Sequence, residues 1–323
     1  MRRVLLTGGS GFVGANLARR LLAGGHEVHL LVRPGYQPWR IAQIRDSIQL
    51  HETELDDAAG VQRVVKTARP EWIFHLAVHG AYSWQKDLDA MVRTNFHGTI
   101  HLVQAALANG VEAFINTGSS SEYGLKDHAP PETEVLEPNS HYAVTKAAAT
   151  MFCKHTASTC AMRIATLRLY SAFGPYEDPG RLLPALIAHG RRGEYPPLAA
   201  PDVARDFIYV DDVVDAFLLA AQVPGSEPGA VYNIGSGVET KLRDAVEVAR
   251  KLMNIHPEPV WGSMPNRAWD ATVWVSDNRK ARQELGWNPR HTFESGFRAM
   301  LGWEASTTDA ASSQPPHPSA KAL

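Results

Sequence analysis

The sequence predicts an α/β protein built on a doubly wound parallel sheet, with a smaller C-terminal lobe. Short apolar runs alternate with stretches of helical hydrophobic spacing from the beginning of the chain, which is typical of parallel strands joined by helices. A glycine-rich stretch, Thr7–Gly14, follows the first apolar run and opens the first helical pattern. Beyond Gly174, frequent prolines divide the chain into shorter pieces, which indicates a second and less regular lobe.

The individual elements follow from the hydrophobic spacing. Apolar runs predict parallel strands at residues 4–6, 27–33, 48–51, 72–76, 113–118 and 162–169. Helical spacing predicts helices at 58–68, 88–108, 142–158, 182–189, 211–222, 242–253 and 278–285. We therefore expect residues 1–174 to form mainly the sheet domain and 175–303 mainly the smaller lobe, with some strands and helices returning to the sheet. Residues 304–323 are rich in Ala, Ser, Thr and Pro, and this composition predicts a disordered tail.

The composition gives no sign of a nucleic-acid partner, a membrane helix or a disulfide framework. The chain has 323 residues, of which 44% are hydrophobic and 20% charged, and its formal net charge is −2. This balance gives no reason to expect nucleic acid or an anionic membrane as partner. Apolar runs stay well short of the ~20 residues that a membrane helix needs. The two cysteines, Cys153 and Cys160, do not suggest a disulfide framework, so we expect a cytoplasmic protein.

The glycine-rich stretch predicts a dinucleotide site of the Rossmann type. Its residues are Thr7, Gly8, Gly9, Ser10, Gly11, Phe12, Val13 and Gly14. The last three glycines fit G-x-G-x-x-G, and Gly8 with Gly11 and Gly14 fits a three-residue variant. Such a turn directs backbone N–H groups at the N-terminus of a helix, where a diphosphate can bind. The alternative is an ordinary glycine-rich turn. The preceding strand and the following helix favour the dinucleotide, and Thr7, Gly8, Gly11, Phe12, Val13 and Gly14 are its expected contacts.

The end of the second predicted strand indicates which dinucleotide is bound. A ribose 2′-hydroxyl is usually held by an acidic residue there, but this strand ends in Arg33. A guanidinium binds a 2′-phosphate by charge-assisted hydrogen bonds, so NADP(H) is favoured over NAD(H). Alternatively, Arg33 is a solvated side chain and backbone groups hold the ribose. Glu54 and Leu55 follow the third strand, where they can bind the adenine, unless Glu54 is only part of an acidic surface loop.

Hydroxyl groups and a lysine mark a second site. Tyr142 and Lys146 are four residues apart in a predicted helix, so their side chains share a face. A nearby ammonium lowers the pKa of a tyrosine, and we expect Lys146 to hold the pKa of Tyr142 well below its ordinary value near 10. Ser119 follows the fifth predicted strand, and ligands bind at the carboxyl ends of such strands. The alternative for the serine-rich stretch around Ser119 is a capped turn.

A metal site is not expected. His75 and His79 are four residues apart on a strand and loop, where that spacing does not bring two ligands together. His97 and His101 can share a helix face, but the sequence offers no third ligand beside them.

Taken together, these motifs resemble the extended short-chain dehydrogenase/reductase family, whose NAD(P)-dependent epimerases and dehydratases act on nucleotide sugars. The resemblance is carried by Thr7–Gly14, by the stretch around Ser119, by Tyr142 with Lys146, and by His75-Leu76-Ala77. Later segments also match, namely 168–175, 205–212, 232–237, 267–270 and 285–287, so the likeness extends to about Trp303.

The resemblance implies roles for individual residues. Ser119 is the catalytic hydroxyl, Tyr142 the acid/base, and Lys146 its electrostatic partner, which also holds the nicotinamide ribose. Cofactor contacts are expected at Leu76 and Ala77, and Asn95 matches an Asn that steadies the central helix and the neighbouring strand. Substrate contacts are expected at Ser120, Ser121, Ser171, Arg205 and Arg267, where the two arginines match those that clamp the sugar-nucleotide diphosphate. Ser171 departs from the family pattern, which usually has Asn. Two-fold pairing of helices 88–108 and 142–158 implies a homodimer.

The same resemblance reduces the number of reactions that we expect. Dehydratases of this family place an Asp-Glu pair just after the catalytic hydroxyl, where this chain has Ser120 and Ser121; Glu122 restores the pair only through a one-residue gap. Between the two remaining reactions we favour an NADPH-dependent reductase of a nucleoside-diphosphate 4-keto-6-deoxyhexose, because Arg33 suits NADPH, which net reduction consumes. A 4-epimerase that retains its NAD(P) is the main alternative, and a 4,6-dehydratase is disfavoured. A non-catalytic NAD(P)-binding sensor is also disfavoured, because Ser119, Tyr142 and Lys146 are all present.

Overall fold

The computed structural model describes residues 1–266 and 271–310 of the chain. Its strands are Arg3–Thr7 (β1), Glu27–Val32 (β2), Gln49–Glu52 (β3), Trp72–His75 (β4), Ala113–Ser119 (β5), Arg163–Leu169 (β6), Ser171–Phe173 (β7), Ala204–Arg205 (β8), Phe207–Tyr209 (β9), Val231–Ile234 (β10) and Thr240–Lys241 (β11). Its α-helices are Phe12–Ala23 (α1), Ala58–Ala68 (α2), Leu88–Met91 (α3), Gly98–Ala108 (α4), His141–Ala157 (α5), Leu182–Gly190 (α6), Val210–Gln222 (α7), Leu242–Met253 (α8), Arg279–Leu285 (α9) and Phe293–Ala310 (α10). Short 3₁₀ segments form at Ala42–Ser47 and Ser120–Tyr123.

The main sheet has seven strands in the order β10-β6-β5-β4-β1-β2-β3, and every neighbouring pair is parallel. This confirms the predicted doubly wound fold and all of the predicted strands, with small shifts at their ends. Parallel pairing brings the carboxyl ends of β1, β4 and β5 to one edge of the sheet. The register places Thr7 opposite His75, so the end of β1 lies beside the end of β4 at that edge.

Apolar side chains cover both faces of this sheet. Successive residues of a strand point to opposite faces, so Leu6 and Phe74 pack in one cluster with Phe217 of α7, whereas Leu5 and Ile73 pack in another. Helices α1 and α7 cover the first face, and helices α2, α4 and α5 cover the second. Burial on both faces explains why the strands read as continuous apolar runs rather than as alternating patterns.

A third apolar cluster lies in the C-terminal half and includes Phe173, Leu186 and Phe297. Two small sheets accompany it: β7 pairs with β9 in parallel, and β8 pairs with β11 in antiparallel orientation. Helices α6 to α9 confirm the helices predicted in this half. Strand β10 joins the main sheet beside β6, and the sequence had not identified it as a strand.

Two predicted boundaries need correction. The helix expected at 88–108 is divided, because π-helical turns at Val92–His97 separate α3 from α4. Helix α10 continues to Ala310, so the disorder expected from residue 304 is wrong for 304–310. Trp303 packs on Tyr176 with ring centroids 4.7 Å apart, and Glu304 pairs with Arg191 at 3.6 Å. The amino-acid composition does not reveal these contacts.

Residues 311–323 lie outside the described part of the chain. In the part that is described, the helices are too short or too polar to span a bilayer.

Candidate active site

The glycine-rich turn between β1 and α1 forms a cradle whose backbone packs too tightly for side chains at Gly8 and Gly14. Gly8 has a φ of 68°, and a Cβ there would lie 2.5 Å from the carbonyl carbon of Leu76. A Cβ on Gly14 would lie 2.2 Å from the carbonyl oxygen of Gly8. Within the described residues, α1 begins at Gly11 with no side-chain cap and no acidic residue in its first turn. Its N–H groups and the positive end of its dipole are therefore available to an anion, which fits the diphosphate of a dinucleotide.

A buried network supports this turn from behind. The hydroxyl of Thr7 lies 2.7 Å from Nδ1 of His75, and Nε2 of His75 lies 3.0 Å from the hydroxyl of Thr99. The backbone N–H of Ala77 donates to Thr7 at 3.2 Å. Burial, together with the nearby Lys146 ammonium, lowers the pKa of His75 to about 3, so the imidazole is neutral. The network fixes the ends of β1 and β4 against each other.

The cofactor-side candidates lie along the same edge of the sheet. Arg33 and Glu54 are exposed just beyond β2 and β3, which leaves both side chains accessible to an adenosine. Leu55 is buried, and its carbonyl lies 3.0 Å from Nδ1 of His101. Leu76 is buried at the end of β4, next to Ala77. The described residues contain no cluster of three or more His, Cys, Asp or Glu side chains able to hold a metal ion.

Ser119 ends β5 and caps the short helical turn that follows. Its hydroxyl lies 2.7 Å from that of Ser121, whose backbone N–H donates to it at 3.2 Å. The backbone N–H of Ser119 donates to Oε1 of Glu122 at 2.8 Å, which completes a capping box. The turn therefore holds the Ser119 side chain at the carboxyl edge of the sheet.

Helix α5 brings Tyr142 to Ser119. The hydroxyl of Ser140 caps the helix by accepting from the backbone N–H of Ala143 at 3.2 Å, so Tyr142 lies in the first turn. The tyrosine is partly buried and close enough to Ser119 for hydrogen bonding between their side chains, which acts to lower its pKa. Lys146 follows one turn later and is buried. The structure thus brings together the three residues predicted to be catalytic.

The electrostatics of Tyr142 differ from the sequence prediction. The pKa of Tyr142 is raised to about 12, chiefly by burial and also by the carboxylate of Glu122, while Ser119 and Arg181 act to lower it. Lys146 does not lower this pKa, so the expectation that the lysine depresses the pKa of Tyr142 is wrong. Burial lowers the pKa of Lys146, while Glu122 opposes that change. Tyr142 therefore holds its proton at neutral pH.

Asn95 connects the loop after β4 to helix α5, which carries Tyr142 and Lys146. Its Oδ1 accepts from the backbone N–H of His79 at 2.8 Å, and its Nδ2 donates to the carbonyl of His79 at 2.8 Å and to the hydroxyl of Thr145 at 3.0 Å. Thr145 immediately precedes Lys146. Asn95, which lies in the π-helical turns, therefore holds the loop after β4 against α5. Its role is to position these two elements.

The substrate-side candidates spread over the end of β5 and the smaller lobe. Ser120 is buried beside Ser119, and Ser121 is partly buried. Ser171 begins β7, and its backbone N–H donates to the carbonyl of Asp206 at 2.9 Å. Arg205 ends β8, and its guanidinium carbon lies 6.0 Å from the centre of the Trp274 ring. Arg267, the other predicted diphosphate contact, lies outside the described residues.

Comparison with known proteins decides the family. A family model described as the NAD dependent epimerase/dehydratase family matches residues 4–235. The chain belongs to this family. The UDP-glucose 4-epimerase of Mycolicibacterium smegmatis is 30% identical over 316 residues, which cover 91% of this chain and 96% of that protein.

Other members of the epimerase/dehydratase family show the same extent of likeness. A trifunctional UDP-glucose 4,6-dehydratase, 3,5-epimerase and reductase of Arabidopsis thaliana is 26% identical over 94% of this chain, which spans only 47% of that protein's length. The structure of a Thermotoga maritima UDP-glucose 4-epimerase with UDP-glucose has a TM-score of 0.85 and 26% identity, covering 94% of this chain and 99% of that one. A Thermus thermophilus UDP-glucose 4-epimerase complex with NAD has a TM-score of 0.81 and 25% identity, covering 93% and 98%.

Two side chains near the candidate active site were not predicted from the sequence. Arg168 is buried, and its Nε donates to Oε2 of Glu122 at 2.8 Å, directly below the turn that holds Ser119. The S-x-x-E spacing of Ser119 and Glu122 is a capping-box signature and could have indicated the structural role of Glu122. Tyr170 was also missed. Its hydroxyl is buried among the residues that follow β5 and β6, and no sequence pattern signals it.

Proposed function

We propose that this chain transfers hydride at C4 of the sugar in a nucleoside-diphosphate sugar, acting as an NADPH-dependent reductase of a 4-keto-6-deoxyhexose. The observation that carries the proposal is the meeting of the Ser119 and Tyr142 side chains at the carboxyl edge of the sheet. This edge also contains the uncapped N-terminus of α1. A proton donor beside a dinucleotide cradle is what reduction of a ketone requires.

Each catalytic residue has a distinct part in the proposed reaction. The reduced nicotinamide, when bound, supplies hydride to the carbonyl carbon. Tyr142 donates its phenolic proton to the C4 oxygen, and burial favours that role because it keeps the hydroxyl protonated at neutral pH. Ser119 donates a hydrogen bond to the same oxygen and holds it in line. Lys146 positions the nicotinamide ribose, as the family resemblance implies.

The choice of NADP(H) rests on Arg33. Its side chain is exposed beyond β2, on the edge of the sheet where the adenosine ribose is expected. A guanidinium there supports binding of a 2′-phosphate. NAD(H) is the alternative, since the similar Thermus thermophilus protein was solved with NAD.

The proposed substrate is a nucleoside-diphosphate sugar held across the two lobes. Arg205 projects from the smaller lobe near Trp274, where a bidentate guanidinium suits a diphosphate. Arg267 is proposed to share this role on the strength of the resemblance alone. The similar Thermotoga maritima protein was solved with UDP-glucose, which supports this class of ligand.

A 4-epimerase is the second candidate function. It is favoured by the likeness to two named UDP-glucose 4-epimerases, at 30% identity in one case and a TM-score of 0.85 in the other. An epimerase would use Tyr142 first to accept and then to return the proton. A dehydratase is less well supported, because Ser120 and Ser121 are not acids and the carboxylate of Glu122 is buried against Arg168.

We further propose that two copies of the chain associate through α4 and α5. Val144 and Met151 lie seven residues apart on one face of α5 and are 49% and 65% exposed. Leu88 and Leu107 are exposed apolar side chains at the ends of the neighbouring helical stretch. Burying this face against a second copy would remove the exposed apolar area from water.

Consumption of NADPH tests the reaction. The purified chain should oxidise NADPH when supplied with dTDP- or UDP-4-keto-6-deoxyglucose and release one reduced sugar nucleotide for each NADPH used. Interconversion of UDP-glucose and UDP-galactose without added NADPH would instead establish the 4-epimerase. If neither reaction occurs with any nucleoside-diphosphate hexose, hydride transfer at C4 is the wrong assignment.

A further inference from the structure

A small cavity opens beside the catalytic turn and is separate from the glycine-rich cradle. Residues from three parts of the chain line it, including Ser120 and Tyr123 after β5, Tyr170 after β6, and Val273 and Trp274 before α9. Ser120, in the cavity wall, is adjacent in the chain to Ser119. Trp274, also in the wall, lies near Arg205, whose guanidinium carbon is 6.0 Å from the ring centre.

Tyr170 lines this cavity, and its buried hydroxyl is unusual. The residue is only 8% exposed, and among the described residues its hydroxyl oxygen has no hydrogen-bond partner. Buried tyrosine hydroxyls normally find a partner, because leaving one unpaired costs free energy. Tyr123, in the same cavity wall, follows that rule: its hydroxyl donates to Oδ1 of Asn233 and accepts from Arg168, both at 2.8 Å. We therefore expect a ligand to accept a hydrogen bond from the unpaired hydroxyl of Tyr170.

The neighbours of the cavity indicate which ligand it takes. Trp274 in its wall lies near Arg205, the proposed diphosphate contact, and Ser120 in its wall is adjacent in the chain to Ser119. A nucleoside-diphosphate sugar bound with its diphosphate at Arg205 and its C4 at Ser119 places the hexose ring between them. Sugar hydroxyl and keto oxygens accept hydrogen bonds from a neutral phenol. Burial raises the pKa of Tyr170, so the phenol keeps its proton as a donor.

We propose that Tyr170 donates a hydrogen bond to an oxygen of the bound hexose and is a specificity-determining residue for the sugar. The proposal rests on the proposed function, since it takes a nucleoside-diphosphate sugar as the ligand. Tyr170 does not take part in proton or hydride transfer. Its hydroxyl selects for a sugar oxygen at one position, because a sugar without that oxygen would leave the hydroxyl unpaired.

Calorimetry on the Tyr170→Phe variant tests the proposal. The full chain, with NAD⁺ and NADP⁺ both present, is titrated with UDP-glucose, dTDP-glucose, CDP-glucose and GDP-mannose, and with each free nucleoside diphosphate. We expect the variant to bind the preferred nucleotide sugar about tenfold more weakly than wild type does, and the matching nucleoside diphosphate equally well. Its melting temperature should be unchanged or higher, because the substitution removes an unpaired buried hydroxyl. Tyr195→Phe is the matched control, since its hydroxyl is also buried and unpaired but lies in the smaller lobe away from the cavity.

The outcomes separate this inference from the function on which it rests. Equal affinity of wild type and Tyr170→Phe for the preferred nucleotide sugar would overturn the role of Tyr170 and leave the proposed function intact. A lower melting temperature with unchanged sugar affinity would show a structural hydroxyl, which also overturns it. Failure of the wild-type chain to bind any of the four nucleotide sugars would overturn the proposed function and this inference with it.

Discussion

Nε of Arg168 donates to Oε2 of Glu122 at 2.8 Å, and both side chains are buried, with exposed fractions of 4% and 0%. Oε1 of the same carboxylate accepts from the backbone of Ser119 and from the hydroxyl of Thr150. The ion pair therefore lies directly behind Ser119, the proposed catalytic serine. Its oxygens are taken up by protein groups, which argues for a structural carboxylate rather than an acid or base for elimination.

Glu122→Gln should destabilise the fold by about 3–5 kcal/mol, because it leaves the Arg168 guanidinium buried without its counter-charge. Urea unfolding measures the change. Glu294→Gln is the control, since that carboxylate pairs with Arg298 on the exposed surface of α10 and should matter by less than about 0.5 kcal/mol. Equal effects of the two substitutions would contradict a structural role for the buried pair.

Hydrophobic runs were enough to predict β1, β2, β4, β5 and β6, because these strands are largely apolar and buried. The edge strand β3 is more polar and more exposed, and its pattern in the sequence was weaker. Strand β10 was not identified, since it is short and carries Asn233 inside the sheet. That amide is satisfied only by distant groups, including the hydroxyl of Tyr123 and the carbonyl of Pro130. The extension of α10 likewise depends on contacts of Trp303 and Glu304 with residues far away in sequence.

For the site, the sequence predicted which residues would meet but not their electrostatics. Ser119, Tyr142 and Lys146 could be brought together because strand and helix order fix their positions. The pKa of Tyr142 could not be predicted from the spacing to Lys146, because burial outweighs the charges around it. Burial of a side chain depends on elements from the whole chain, and no local pattern reports it.

Arg33→Ala should weaken NADP(H) binding by about 1.5–3 kcal/mol and leave NAD(H) binding unchanged, because only the former has a phosphate for the guanidinium. Fluorescence titration of both cofactors measures this. Arg45→Ala is the matched control, because Arg45 is an exposed arginine in the same connection between β2 and β3. A wild-type preference for NAD(H), or equal losses for both cofactors, would remove Arg33 from the 2′-phosphate site.

Met151→Glu should convert the proposed dimer into a monomer, because it places a charge in the middle of the apolar face of α5. Light scattering at micromolar concentration should give half the wild-type mass. Val260→Glu is the control, since Val260 is as exposed but lies in the smaller lobe. A monomeric wild-type chain would exclude the dimer, and a dimer unaffected by Met151→Glu would move its interface elsewhere.

The neutral His75 should make stability depend on pH. Burial lowers its pKa to about 3 in the folded chain, whereas an unfolded histidine has a pKa near 6.5. Between these values the unfolded state binds more protons, so the stabilisation is complete above about pH 6.5 and is lost as the pH falls towards 3. Relative to His75→Gln, wild type should lose about 3 kcal/mol between about pH 7 and pH 4, measured by urea unfolding. The exposed His155→Gln should follow the wild-type curve, and parallel curves for wild type and His75→Gln would contradict the assignment.

Tyr142→Phe removes only the hydroxyl that is proposed to give its proton to the C4 oxygen. The variant should bind cofactor and nucleotide sugar as wild type does, yet its kcat should fall by about 10²–10⁴, the usual contribution of general acid catalysis. Ser119→Ala should cost less, because one hydrogen bond is lost while the proton donor remains. Single-turnover rates beside calorimetric affinities separate the chemical step from binding.

The pH dependence of the same step gives a second and independent check on Tyr142. Since burial raises the pKa of Tyr142 to about 12, the free enzyme should keep its proton donor, and kcat/KM for reduction should not fall through loss of that proton between about pH 7 and pH 10. A tyrosine with a depressed pKa would instead lose its proton within that range, and reduction would decline as the pH rises. A decline that disappears in Tyr142→Phe would show that the pKa of Tyr142 is depressed in the free enzyme, as the spacing to Lys146 predicted. Turnover by Tyr142→Phe within a few-fold of wild type would show that another group donates the proton.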